Sequence, residues 1–366
     1  MLPVAPDGIP LLSRGTLPKR LPASLVLWIL AITLVLAIFI ASGLGAYSLS
    51  FSQILTIAGG WLGLGDQQLV SGRDTSVFLA IRLPRVLAAA LVGAGLGAAG
   101  SALQGLFRTP LAEPGLVGVS SGSALAAAAL LPLTVGLSSA VGEVGARVLV
   151  LVLASGCGIG LTAIVLVISH RRGVPSVLTM LLIGIAVNSF SAAGIAVVIF
   201  ADPTSPQLET TFWLLGSLGG SGWLDVAMLA PAIIGSMLIL NWTAPSIDAS
   251  VLGDVAAHSI GIDIKVQRWI VVGAVALATA AATSVAGIVG FVGLVAPTLL
   301  RPIIGARHRP LIIGGGCAGA LLTVIADTLA RTVIAPAELP IGVITTGFGA
   351  PVFLAVLLRE RRAGRM

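Results

Sequence analysis

Apolar residues in this chain come in long runs, without the alternation or the three-to-four spacing that marks a segment with one wet face. A helix that is apolar on every side belongs in lipid or deep in protein, and crossing the hydrocarbon takes about 20 such residues. The runs Leu25–Ala46, Val86–Phe107, Leu116–Leu133, Val148–Ile168, Val177–Ala201 and Val226–Leu240 are therefore predicted spans. Trp269–Gly290, Leu311–Ala326 and Ile341–Leu358 follow. The stretch Trp269–Leu300 is too long for one crossing and is punctuated by Gly287, Gly290, Gly293 and Pro297, so a further, shorter helix ending near Arg301 is expected. The pattern predicts an all-α protein with about ten transmembrane helices and both termini on one side. Leu25–Ala41 follows a polar, proline-containing start with no clean small-residue cleavage site, which predicts a retained first helix. Residues 1–24 read as a polar N-terminal segment, 25–358 as the membrane domain and 359–366 as a tail.

Composition narrows the class. Apolar residues make up 57% of the chain and charged ones 9%, against about a quarter charged in soluble domains. A water-soluble enzyme, a nucleic-acid binder and a disordered scaffold are excluded, and a pI near 10.6 reflects loop charge rather than a nucleic-acid footprint. Placing the N-terminus inside puts Arg14, Lys19, Arg20, Arg108, Arg171, Arg172, Lys265, Arg268, Arg301, Arg307, Arg309, Arg359, Arg361, Arg362 and Arg365 on the inner side. Only Arg73, Arg82, Arg85, Arg147 and Arg331 stay outside. Fifteen against five is the positive-inside asymmetry, and it assigns cytoplasmic termini.

The spans are rich in small residues. Gly93 and Gly97, and likewise Gly156 and Gly160, have the spacing that lets helix backbones approach closely. Almost no ionisable residue falls at mid-membrane, where proton-coupled carriers place relay groups. Energy must then come from another source, or the path is passive. Cys157 and Cys317 lie in apolar runs without metal or disulfide spacing, and no metal site or cofactor is expected.

Three motif matches fail on context. Gly95-x-Gly97-x-x-Gly100 lies inside an apolar helix with no strand before it, so close packing is the better reading. Gly118-Val119-Ser120-Ser121-Gly122 resembles a nucleophile elbow, but His170, His258 and His308 are expected in cytoplasmic loops away from Ser120. The serine hydroxyls are expected to bond helix carbonyls instead. Neither Lys19 nor Lys265 follows a glycine, so there is no phosphate-binding loop and no nucleotide hydrolysis by this chain.

Five blocks are more specific. Arg82-Leu83-Pro84-Arg85 opens the second span, and Gly93–Gly105 runs into Arg108–Ser123. Phe212–Trp223, Gly290–Arg301 and Glu338–Phe353 follow in order. Together they resemble the FecCD-type permease subunit of bacterial ABC importers for iron chelates, haem and cobalamin. The resemblance implies a homodimeric permease in the inner membrane, embedded in lipid. Two cytoplasmic ATPase subunits and a periplasmic substrate-binding protein are its implied partners, with no nucleic acid. Members of this type commonly carry Pro-His after the GFVGL block. This chain has Pro297-Thr298, so no function is assigned to position 298.

The resemblance also suggests sites. Arg82 and Arg85, three apart on one face at the outer end of the second span, and Arg331 at the end of the ninth, are implied to dock carboxylates of the binding protein. Snorkelling anchors are the alternative. Pro110 and Pro114 force a turn at the inner mouth, and the resemblance puts Thr109 and Leu111 in one cytoplasmic gate and Ser176 near a second, with an ordinary tight turn as the alternative. The loop 247–265 carries apolar residues at 251, 252, 255, 256 and 260, an amphipathic pattern too short to span. It resembles the coupling helices that sit in an ATPase groove, which marks Val251, Leu252, Gly253, Asp254, Ala256 and Gly261. The expected cargo is an iron chelate, haem or ferric siderophore. Cobalamin, and a partner-independent channel or secondary carrier, stay open.

Overall fold

The computed structural model describes residues 21–45, 50–61, 72–130, 134–169, 177–201, 207–251, 253–259, 261–335 and 337–362, and every regular element among them is helical. The order is α1 (Ala23–Gly43), α2 (Phe51–Trp61), α3 (Gly72–Ser76), α4 (Leu83–Leu106), α5 (Val119–Leu130), α6 (Thr134–Ser169) and α7 (Val177–Ala201). It continues with α8 (Gln207–Leu214), α9 (Trp223–Val251), α10 (Asp254–Ser259), α11 (Ile264–Ala286), α12 (Val292–Ile304), α13 (His308–Thr332) and α14 (Ile341–Arg362). Among the described residues, seven helices are long and apolar enough to cross a membrane, and three shorter apolar helices, α5, α12 and the apolar part of α14, complete the expected ten.

Several expected spans change length. Val86–Phe107 starts earlier, because a π-helical turn at Val77–Arg82 joins α3 to α4 into one rod from Gly72. Val226–Leu240 becomes Trp223–Val251, with Pro231 and Pro245 inside the helix. Leu116–Leu133 starts later than expected: Pro114–Val117 forms a 3₁₀ turn, Gly118 takes φ +87°, and α5 begins at Val119. α12, with 13 residues, is short for a related reason: Gly287 at φ +69° ends α11, and Phe291 at φ +65° starts the next helix.

α4 is the central element. In its most apolar stretch 83% of residues are buried, against 6% in α1, whose Trp28 and Val35 are exposed on the outside of the bundle. Burial of α4 follows from its glycines. A Cβ on Gly97 would lie 2.0 Å from the Gly315 carbonyl oxygen of α13, and one on Gly93 would lie 2.2 Å from that of Gly319. Gly100 meets the Gly293 carbonyl of α12 in the same way, at 1.7 Å. The dinucleotide-like glycines are thus packing glycines, and Ser101 returns its hydroxyl to the Gly97 carbonyl at 2.7 Å. Gly156 and Gly160 differ from expectation, since a Cβ on either meets nothing within 4 Å. In that helix Gly158 makes the close approach, to Ser123 and the Val119 carbonyl of α5.

This contrast gives a test of what holds the bundle. Gly97→Ala should lower the stability of the detergent-solubilised protein by about 1–3 kcal/mol, because a methyl group has no room between α4 and α13. Gly160→Ala should stay within about 0.5 kcal/mol. Thermal unfolding of the two variants side by side checks this; equal shifts would show that the backbone approach is dispensable.

Candidate functional site

At the end of the bundle that the charge asymmetry assigns to the outside, three helix ends bring five ionised side chains together. Arg85 sits in α4 just past the π-helical turn and is buried, so its charge needs partners within the chain. Acids answer it. Nε of Arg85 donates to Asp327 Oδ1 of α13 at 3.0 Å, and Nη1 and Nη2 bond both oxygens of Glu338 at 2.9 and 3.0 Å. Asp327 also faces Arg331 one turn on, at 3.3 Å. Arg331 Nη2 donates to the Ala41 carbonyl at 2.6 Å, while Arg82 Nη1 donates to the carbonyls of Gly43 at 2.7 Å and Ser42 at 3.3 Å. Those carbonyls form the C-terminal end of α1, the negative pole of its dipole. Three cations are thus held by two carboxylates and one helix end.

The arginines expected to dock at the outer face, Arg82, Arg85 and Arg331, are 6%, 8% and 6% exposed, and each bonds partners inside the chain. Asp327 and Glu338 are partners that the sequence pattern alone did not single out. The spacing of Asp327 four residues before Arg331 on a helix was a usable signal.

The opposite end carries the expected gate and coupling residues. Thr109 and Leu111 share one turn, with the Leu111 amide donating to Thr109 Oγ1 at 3.3 Å, and Leu111 is 40% exposed. Ser176 lies outside the described residues. The loop that carries them is anchored behind: Glu113 Oε1 accepts the Phe291 amide at the start of α12, at 2.6 Å. Burial raises the Glu113 carboxyl above the ordinary carboxylate range, and the Phe291 bond offsets part of that rise. Asn188 of α7 donates to the Gly115 carbonyl at 3.3 Å and accepts the Ser121 hydroxyl at 2.6 Å. Ser121 also bonds the Gly118 carbonyl at 3.1 Å, the helix-directed role expected of it. Glu113, Ser120, Ser121, Asn188, Gly290 and Gly293 line a cavity of about 320 Å³ between these elements.

Of the residues expected to contact the ATPase, Val251 ends α9 and is 49% exposed, Gly253 turns at φ +115°, and Asp254 and Ala256 fall in the six-residue α10. Gly261 turns at φ +84°, and Leu252 lies outside the described residues. The inner connection is shorter than expected, because α9 stays helical through residues 247–251 and Asp263 caps α11 through the amides of Lys265 and Val266. His308 is a second correction. It starts α13 rather than a loop, is 4% exposed and holds Asp248 at 2.6 Å. Among the described residues no cluster of three or more His, Cys, Asp or Glu could hold a metal ion.

The FecCD transport family model matches residues 32–359. The chain belongs to the FecCD transport family. It is 35% identical to the hemin transport system permease HmuU of Yersinia pestis, over 93% of this chain and 98% of that one. It is 36% identical to the vitamin B12 import permease BtuC of Vibrio cholerae, over 84% and 90%, and 33% identical to the Fe(3+)-citrate import permease YfmE of Bacillus subtilis, over 95% and 99%. A solved metal-chelate type ABC transporter in an inward-facing conformation superposes with a TM-score of 0.77 at 28% identity, covering 92% of this chain and 99% of that one. The protein is a polytopic, inner-membrane ABC importer permease of the FecCD type, a transport subunit rather than a catalytic one.

The outer cluster predicts an order of effects. Asp327→Ala leaves Arg85 and Arg331 sharing Glu338 in a desolvated site and should cost about 3–5 kcal/mol. Glu338→Ala should cost about 1 kcal/mol or less, because the Glu338 side chain is 45% exposed and screened by water and salt. Thermal unfolding in detergent at two salt concentrations reads both, and the reverse order would refute the assignment of Asp327 as the buried counter-ion.

Proposed function

We propose that the permease forms a homodimer which, driven by two cytoplasmic ATPase subunits, carries an iron chelate, haem or ferric siderophore, from a periplasmic binding protein to the cytoplasm. The similarity to the hemin permease over nearly its whole length supports an iron chelate as cargo, and the Fe(3+)-citrate permease supports the same class. The observation that carries the coupling reading is local. A long span, α9, ends in an exposed valine beside a glycine turn and a short helix, on the side that the charge asymmetry assigns to the cytoplasm. An apolar side chain at that place is matched to a groove on a partner.

In this reading Thr109 and Leu111, with Ser176, close the inner mouth. Leu111 contributes an apolar constriction, which blocks water by dewetting. Arg82, Arg85 and Arg331 join docking only when their internal bonds open. Closed, they fix the shape of the outer mouth that the binding protein meets.

Reconstitution with the ATPase and binding protein should give ATP-dependent uptake of haem or a ferric siderophore. Uptake of cobalamin alone would overturn the cargo, and passage of solute without the ATPase would overturn the driven mechanism. Val251→Glu combined with Leu252→Glu should release the ATPase during purification, since each buried apolar side chain contributes about 2 kcal/mol. The binding protein should still dock on the other face; co-purification of the ATPase at wild-type yield would sink the coupling assignment.

A further inference from the structure

Three helix ends converge on the inner side. A Cβ on Gly105, in the last turn of α4, would lie 2.1 Å from His308 Nε2 and 2.7 Å from Ile247 Cγ2, so α4, α9 and α13 meet where only glycine fits. Asp248 fastens two of them, its Oδ1 accepting the His308 amide at 3.0 Å beside the ring Nδ1. Two residues on, the Ser250 carbonyl closes the turn into α10 by accepting the Gly253 amide at 3.1 Å. Gly253 in turn accepts the Ala257 amide at 3.0 Å, so this turn ties α10 to the end of α9.

The same Ser250 carbonyl takes a second donor, Nη2 of Arg108. Arg108 lies at the root of the gate loop with φ +53°, one of two non-glycine residues in the left-handed region among those described. Its amide bonds the Gly105 carbonyl at 3.2 Å and the next amide, of Thr109, bonds that of Gln104 at 3.2 Å, so the chain reverses at once. The gate residues follow one and three positions later. A left-handed arginine here sets the loop direction with its backbone and holds the α9–α10 turn with its side chain. Arginine suits the task, because it stays charged and the terminal carbonyls of a helix carry partial negative charge.

We propose that Arg108 is a positioning residue that transmits movement of α10 to the gate loop. This rests on the reading of α10 as the ATPase-facing surface. A shift of α10 on its partner displaces the Ser250 turn; the guanidinium carries that displacement to Thr109 and Leu111. Without the bond, ATP hydrolysis and gate opening separate.

The test uses the full complex of permease, ATPase and binding protein in proteoliposomes, with haem or a ferric siderophore as cargo, measuring ATP hydrolysis and uptake together. In R108M, hydrolysis should stay near the wild-type rate while the ATP consumed per cargo imported rises about tenfold. R108K, which keeps a cationic donor, should recover part of the coupling. An unchanged ratio in R108M, or hydrolysis and uptake falling in parallel, overturns the proposal and leaves a packing role. Should R108M fail to assemble, R108Q takes its place: a raised ratio supports the proposal, and an unchanged ratio or a parallel fall overturns it. A wild-type complex without ATP-driven uptake overturns the importer reading and this inference with it.

Discussion

Backbone-to-backbone contact between α4 and α13 inside the membrane sets the geometry of both functional ends. Lipid tails are as apolar as the side chains, so burying apolar surface does not draw helices together there. Van der Waals contact at short range does, and Gly93, Gly97, Gly315 and Gly319 remove the atoms that would prevent it. α4 has 24 residues and rises about 36 Å, so it behaves as a ruler through the bundle. Fixing its register on α13 aligns Arg85 with Asp327 at one end and Gly105 with His308 at the other. A slip along the helix pair would misalign both.

The five-residue charge cluster at the outer end is better understood as a device for specificity than as a source of stability. Taking three guanidiniums and a carboxylate out of water is expensive, and well-packed apolar residues in their place are often as stable. What the cluster adds is identity. It joins the ends of α1, α4 and α13 and the segment before α14, four pieces whose apolar surfaces alone do not distinguish one neighbour from another. The inner knot of Gly105, Asp248 and His308 has the same character on a smaller scale.

The spans were legible because lipid demands uninterrupted apolar runs, and Val177–Ala201 matches its expected limits end for end. The starts of α5 and α12 were not, since Gly118, Gly287 and Phe291 break the chain by positive φ, which hydropathy does not register. Family blocks drew attention to the arginines at the outer helix ends. Their burial stayed hidden, because the partners of Arg85 lie 242 and 253 positions away. His308 stands between arginines and read as loop, with its carboxylate partner 60 positions upstream. Gly156 and Gly160 show the opposite failure. Their spacing is right for packing, and the face they share is open in this chain.

The bond between Arg331 and the Ala41 carbonyl spans 290 positions of a 366-residue chain. During synthesis α1 enters the membrane before α13, and the Ala41 carbonyl waits for its donor while the intervening crossings are made. Arg82 arrives early and satisfies Ser42 and Gly43, but the Ala41 bond forms only once α13 is in place. Closure of the bundle at this end is therefore among the last events of biogenesis. A nascent or truncated chain stopped before residue 331 lacks the donor that the Ala41 carbonyl takes in the finished permease.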